Sequence, residues 1–486
     1  MMINNRIPIF QMPSWVSRNA IIMYIVALFT ISIMNSAYSI PWYYMLSGVI
    51  AIVVFFLFGR SLSESISVAR MRREKSFEKR IFLIAIVLRV IFVVLLYSIF
   101  QQNYGDAFGF ENADACFYDD KGVAFADAIS KGRFLDEWRR TKEFGVEVSD
   151  MGCAAYVGLV YWLTGKSIIA LRLLKCLLSA FTVVLIYRLA KRNFSEQIAR
   201  LAAILCALWP NFWYYCGTHL KETEMVFLAV LFVEQADQML RSRQFTLWKI
   251  VPILLIAAAL FTFRTPLALV ALLSIVFSVV MSSSKVVNWG KRIMVGGIAI
   301  LLILVVAGNA IEEQTNLLLQ QVQAGEQQQN MEWRAKRENG NSFAKYAGKS
   351  VFAPLIFTIP FPSMVRPFEG QEQQQLLNGG NYAKNVISFF TILAMFTLLM
   401  SGEWRDHLVP LSFMLGYLVV LTMSTFAQSE RFHQPAMPFE FMFAAYGLSI
   451  AVTNKKYKRW FTYWSAFMLV AAIAWNWFKI AGRGLA

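Results

Sequence analysis

The sequence predicts an all-α polytopic membrane protein: a bundle of about thirteen transmembrane helices that carries two large outer loops. Three observations predict it. Of the 486 residues, 57% are hydrophobic and 16% charged, where a soluble chain of ordinary composition carries about 25% charged residues. Apolar runs of roughly 18 or more residues, long enough to cross a bilayer as a helix, recur along most of the chain. Lys and Arg, which set the formal net charge of +16, gather between those runs, as they do in cytoplasmic loops facing anionic lipid. The charge therefore needs no nucleic-acid partner.

Taken in order, no charged residue falls between Arg18 and Arg60, which leaves room for spans at 19–36 and 42–59 turning at "NSAYSIP". The first run lacks a small-residue cleavage site and reads as a retained span. The loop 60–80 holds seven Lys/Arg and marks the cytoplasmic side. Residues 1–80 thus form a two-span extension with a basic loop. Spans at 81–101, 167–189, 198–215, 223–240, 249–264, 266–283 and 293–309 make a membrane core, 81–309. A large loop, 310–384, follows. Spans at 385–401, 408–427, 435–453 and 460–478 fill the C-terminal region, 385–486. Charge checks the parity: Lys191, Arg192 and Arg200, Arg241, Arg243 and Lys249, Lys285, Lys291 and Arg292, and "NKKYKR" all fall in turns expected inside. The short turns expected outside carry single cations, Lys221, Arg264 and Arg431. The N-terminus is then cytoplasmic and the C-terminus outside. The stretch 151–165 is too short and too Gly-broken to span, and is expected as an amphipathic helix at the outer surface. It closes a first outer loop, 102–166. The second outer loop has Gln-rich pieces around the apolar, Pro-rich "FAPLIFTIPFPSMVRPF", and loops of this length are functional or disordered.

With that topology the unusual polar residues converge on the outer side. Asp114, Asp119 and Asp120 lie in the first outer loop and Asp150 at its far end. "GTHLKETE" offers His219, Lys221, Glu222 and Glu224, Arg264 sits at another outer turn, and "SERFHQP" adds Glu430, Arg431 and His433. Carboxylates from two loops could supply a general base and a divalent-metal site of Asp114, Glu222 and Glu224. Arg and Lys at span ends could hold a phosphate or pyrophosphate at headgroup depth. Blander readings stand beside these. Asp119 and Asp120 can be first-turn acids of a helix, Asp114 its cap, and His433 a neutral hydrogen-bonded residue. The five cysteines show no zinc-ligand spacing; Cys116 and Cys153 share the first outer loop and could pair in an oxidising compartment.

The layout resembles the GT-C superfamily of integral-membrane glycosyltransferases, nearest to the protein O-mannosyltransferase and aminoarabinose-transferase-like branch. "FLIAIVLRVIFVVLLYSIF", with Arg89, leads into a loop that opens with Asp114, then Tyr118, "AFADAISKG" and Gly132. "YWLTGKSIIALRLLKCLLSA", "ALWPNFWYYCGTHLKETEMVFL" and "RFHQPAMPFEFMFAAYG" follow in the family's order. The Lys-Pro-Pro-like motif of many relatives is replaced by "SDMGCAAY". The resemblance implies Asp114 as the catalytic residue, assisted by Glu222. It implies donor contacts from Lys221, Arg264, Arg431, His433, Tyr118 and Asp150, and a Mg or Mn ion where one is used. The partners it implies are a polyprenyl-phosphate-linked sugar donor, a lipid, glycan or protein acceptor, and membrane lipids. The expected place of action is the outer face of a bacterial cytoplasmic membrane. The readings set against it are a polymerase or ligase of surface polysaccharide, and a secondary transporter or lipid flippase.

Overall fold

The computed structural model describes residues 11–68, 74–110, 113–242, 247–283, 353–366, 372–424 and 426–482, with isolated positions 290, 293, 297, 332 and 336. The expected span 293–309 and most of the loop 310–384 lie outside the described residues. Among the described residues the chain is helical, apart from one isolated antiparallel bridge between Ser39 and Val365. That is the expected solution for apolar segments, because a helix satisfies its backbone groups internally where water is absent.

The chain opens with α1 (Ser14–Met34) and α2 (Trp42–Val53). The second helix continues through a π turn at Val54–Phe58 into α3 (Gly59–Val68), and α4 (Glu74–Tyr104) follows. Next come α5 (Ala113–Ser130), α6 (Phe134–Glu143), α7 (Val148–Thr164) and α8 (Ile168–Asn193). The core continues with α9 (Glu196–Leu208), α10 (Pro210–Cys216), α11 (Glu222–Arg241), α12 (Ile250–Phe263) and α13 (Thr265–Met281). Within the last part of the expected loop 310–384 and after it lie α14 (Glu372–Leu376), α15 (Asn378–Ser401), α16 (Leu408–Met423), α17 (Glu430–His433), α18 (Met437–Thr453) and α19 (Lys455–Ala481). Among the described residues six helices are long and apolar enough to cross a membrane: Ser14–Met34, Trp42–Ser65, Ser76–Tyr104, Ile168–Asn193, Asn378–Ser401 and Lys455–Ala481. The count of thirteen is therefore not established, although the chain is a multi-pass membrane protein. α12, α13, α16 and α18 are apolar but run only 14 to 17 residues.

One expected span, 198–215, is broken rather than continuous. Pro210 has no N–H to give the Cys206 carbonyl, so the helix stops at Leu208 and restarts as α10. The fully buried Arg89 fills the break. Its Nη2 donates to Cys206 O at 3.4 Å, Nη1 to Ala207 O at 3.2 Å, and Nε to Ser179 Oγ at 2.7 Å. The Trp213 indole also donates to Ala207 O, at 2.9 Å. The carbonyls freed by the proline are thus satisfied, as an apolar surrounding requires.

The turns sort into two ends of the bundle. At one end Arg192 bonds Glu234 at 2.7 Å and Asp237 at 3.1 Å, Arg241 bonds Asp237 at 2.9 Å, and Ser283 N bonds Arg405 O at 3.2 Å. At the other end the first outer loop, the turn 217–221, Arg264 and the turn 424–436 meet. Both ends of α7 stay there: Asp150 pairs with Lys221, and Lys166, just past the helix, pairs with Asp119 at 3.3 Å. α7 therefore lies across the bundle. Glycines on both helices set its packing against α5, since a Cβ on Gly158 of α7 would stand 2.4 Å from Phe125 Cβ and one on Gly122 of α5 2.3 Å from Val157 Cγ1. None of the five cysteines is joined in a disulfide, so Cys116 and Cys153 do not pair.

Candidate active site

Arg431, carried by the short α17, lies between the first outer loop and the turn preceding α11. Its Nη1 donates to Asp114 Oδ2 at 2.5 Å, and its Nε donates to Glu222 Oε1. Asp114 occupies the first turn of α5 and Glu222 is the first residue of α11. Carboxylates 108 residues apart in sequence thus share one guanidinium. The trio is graded in depth: the side chain of Asp114 is 55% exposed, that of Arg431 12% and that of Glu222 1%. Burial alone would lower the Arg431 pKa, but Glu222 and Asp114 outweigh it and hold the guanidinium above its ordinary value.

Two polar clusters flank this trio. In the first, Asp150 accepts from Tyr118 Oη at 2.6 Å and from Lys221 Nζ, which also donates to Ser149 O at 2.8 Å. Burial would raise the Asp150 pKa, but Lys221, the Tyr118 hydroxyl and Arg264 together bring it below the usual carboxylate value. In the second, Asp119 accepts from Tyr161 Oη, and the same hydroxyl lies 3.1 Å from His219 Nε2. A hydroxyl that donates to Asp119 accepts from Nε2–H, which fits a neutral imidazole. Burial, then the charges of Lys175, Arg172 and Lys166, push the His219 pKa well below its ordinary value.

The start of α5 corrects one expectation. The helix begins at Ala113, so Asp114 is the first-turn acid, and Asp119 and Asp120 lie further along. Asp119 is buried at 7% exposure and serves the Tyr161–His219 cluster.

Arg264 caps the break between α12 and α13. Its guanidinium lies 4.3 Å from the centroid of the Phe432 ring, and that of Arg431 lies 5.8 Å from the same ring. One aromatic ring therefore serves two cations. Arg264 makes no ion pair among the described residues.

Two expected residues stand apart. His433 is buried, with Nε2 donating to Ala427 O at 2.8 Å and Nδ1 2.6 Å from Lys384 Nζ. Both ring nitrogens are engaged inside the protein, and Lys384 in turn reaches Glu440 at 3.8 Å. Glu224 turns to Lys175, 3.6 Å away, whose Nζ also bonds the backbone oxygens of Thr218 and Leu220. Consequently Asp114, Glu222 and Glu224 do not form the expected divalent-metal cluster. Among the described residues no group of three or more His, Cys, Asp or Glu is placed to hold a metal. The donor set explains this, because a guanidinium lies between Asp114 and Glu222 and an ammonium faces Glu224.

Tyr161 and Lys175 were not anticipated. Lys175 had a legible signal, being a lysine inside the apolar run "LRLLKCLLSA", and an ionisable residue within a span marks a site by default. Tyr161 had none, because a tyrosine beside a membrane surface is ordinary.

Residues 152–309 match the model of the dolichyl-phosphate-mannose-protein mannosyltransferase family. No curated protein matches the chain. The matched stretch contains Tyr161, Lys175, His219, Lys221, Glu222 and Arg264, whereas Asp114, Tyr118, Asp150 and Arg431 lie outside it. The resemblance read from the motifs therefore holds for the middle of the chain: over residues 152–309 it carries the pattern of the dolichyl-phosphate-mannose-protein mannosyltransferase family, glycosyltransferases of the GT-C type.

Proposed function

We propose that the chain transfers a sugar from a polyprenyl-phosphate carrier to an acceptor at the outer face of a bacterial cytoplasmic membrane. The observation that supports this most is the bridge from Arg431 to both Asp114 and Glu222. It ties an exposed carboxylate, able to meet an acceptor, through one guanidinium to a buried carboxylate that fixes its place.

Asp114 is the general base. The acceptor hydroxyl attacks the anomeric carbon of the donor, the bond from that carbon to the phosphate oxygen breaks, and the hydroxyl proton passes to Asp114. The electron pair leaves with the carrier phosphate, and the anomeric configuration inverts. Negative charge grows on the phosphate as that bond breaks. Arg264, unpaired and stacked on Phe432, is placed to meet it. Glu222 anchors Arg431 from below, and Lys221 holds Asp150 and Tyr118 at the wall. No step runs through a metal, since the carboxylates expected to bind one are matched to cations.

The test uses the purified full chain in detergent with a tritiated mannosyl-phosphoryl-polyprenol probe, following release of label from the organic phase. Asp114→Asn should lower turnover by about 10²–10⁴-fold, the usual contribution of a general base. Turnover unchanged in Asp114→Asn would overturn the assignment.

A further inference from the structure

Away from the Arg431 trio, a groove of about 490 Å³ opens between α1, the π turn before α3, and α19. That volume is within the roughly 300–1,000 Å³ of small-molecule sites. The groove has two kinds of wall. Arg18, Arg60 and Lys458 line it with charge, and Trp15, Ile21, Ile22 and Leu57 line it with apolar surface. Arg60 holds Glu64 at 3.2 Å, one turn along its own helix. Arg18 and Lys458 make no ion pair among the described residues, so the groove keeps a net positive lining.

The walls are fixed by side-chain bonds. Ser17 Oγ donates to Phe56 O at 3.1 Å, a carbonyl within the π turn. Asn19 Nδ2 donates to Thr462 Oγ1 at 3.3 Å, and Trp15 packs edge-on to Phe461 at 5.1 Å. The π turn puts Phe55 and Phe56 in the core and leaves Leu57 45% exposed. From the groove the apolar surface runs on along α1 through Ile22, Phe29 and Ile33, exposed at 50%, 64% and 77%. A ligand here meets cations at one end of a hydrocarbon track.

We infer that this groove binds an anionic phospholipid, its phosphate between Arg18, Arg60 and Lys458 and an acyl chain along Ile21, Ile22 and Leu57. The charge selects the headgroup, and the continuous apolar face selects a lipid over a soluble anion. The site goes beyond the proposed transfer reaction, because it uses none of the residues placed in that reaction.

The experiment follows the thermal melt of the purified full chain in neutral detergent. Dioleoyl phosphatidylglycerol, dioleoyl phosphatidylcholine and inorganic phosphate are titrated separately, and retained lipid is counted by native mass spectrometry. Phosphatidylglycerol should raise the melt and remain bound, while phosphatidylcholine and inorganic phosphate should do neither. Arg18→Gln and Lys458→Gln should each weaken phosphatidylglycerol binding about fivefold, since a basic side chain near anionic lipid contributes about 1 kcal/mol. Ile22→Ser, which keeps the cations, separates the lipid from a bare anion by weakening phosphatidylglycerol alone. Either Gln variant is read only against its own lipid-free melt, so a change in folding does not count as a change in binding. Equal stabilisation by phosphatidylcholine, full reproduction of the effect by inorganic phosphate, or phosphatidylglycerol affinity unchanged in both Gln variants would overturn the site.

Discussion

Replacing Arg431 by Gln should separate the two halves of its bridge by their depth. The side chain of Glu222 is 1% exposed and its Oε1 is held by Arg431 Nε. Without that cation a buried carboxylate is left uncompensated, which costs about 3–5 kcal/mol when one partner of a buried pair is removed. Asp114 is 55% exposed and can turn to water, so losing its share costs about 0–1 kcal/mol. Arg431→Gln should therefore be destabilised by about 3–5 kcal/mol in total, nearly all of it through Glu222. The double variant Glu222→Gln with Arg431→Gln should recover most of that loss, because the unpaired charge is gone. Asp114→Asn should melt within about 1 kcal/mol of the parent while losing turnover. The assay is urea unfolding in detergent by tryptophan fluorescence, with turnover measured on the same preparations. Arg431→Gln as stable as the parent, or a double variant no better than the single one, would refute the depth argument.

Stability should also depend on pH through the histidines. His219, His407 and His433 are all held below their ordinary pKa by burial, helped by Lys175 at His219, Arg241 at His407 and Lys384 at His433, and His407 is brought down to about 4. The unfolded chain takes up these protons near pH 6.5 and the folded chain does not, so stability is full above that pH. It falls by about 1.4 kcal/mol per pH unit per histidine below it. Melts from pH 7.5 to 5 should show the slope and a His→Gln variant should flatten it; identical melts at both ends would sink this reading. Gly158→Ala should cost about 1–3 kcal/mol, since its Cβ would meet Phe125 Cβ at 2.4 Å and Gly122 O at 3.1 Å; a melt equal to the parent would show that α5 and α7 can part freely. Arg89→Met should cost about 1–3 kcal/mol for the Cys206 carbonyl it orphans, Ala207 O keeping the Trp213 indole, while Arg89→Lys should restore part of the melt.

The sequence made the ends of the bundle legible, because positive charge accumulates in turns that later meet one another. Lys191, Arg241 and "NKKYKR" marked one set, and Asp114, Glu222 and Arg431 the other. Family likeness pointed to Asp114 within "ADACFYDD". The partner relation between Asp114 and Arg431 was not legible, since nothing over a separation of 317 residues encodes a register between loops. Helix starts were the weak point. Treating Asp119 and Asp120 as first-turn acids put the start of α5 too late, because the apolar pattern strengthens only after them. The span count is left unestablished where helices fall short of 18 residues, as in α12, or where Pro210 divides a run that hydropathy alone reads as continuous.

The trio of Asp114, Glu222 and Arg431 also bears on how the chain can be divided. The family-matching stretch, 152–309, holds Glu222 but neither of its two companions. A fragment cut to that stretch would bury a lone carboxylate and bring no base to the acceptor. In the proposed mechanism, catalytic competence is thus a property of the finished tertiary structure, reached only when the last third of the chain has docked onto the first. During synthesis the bridge from Asp114 to Glu222 cannot form until Arg431 has emerged, so under that mechanism a partly made chain is held inactive by its own incompleteness.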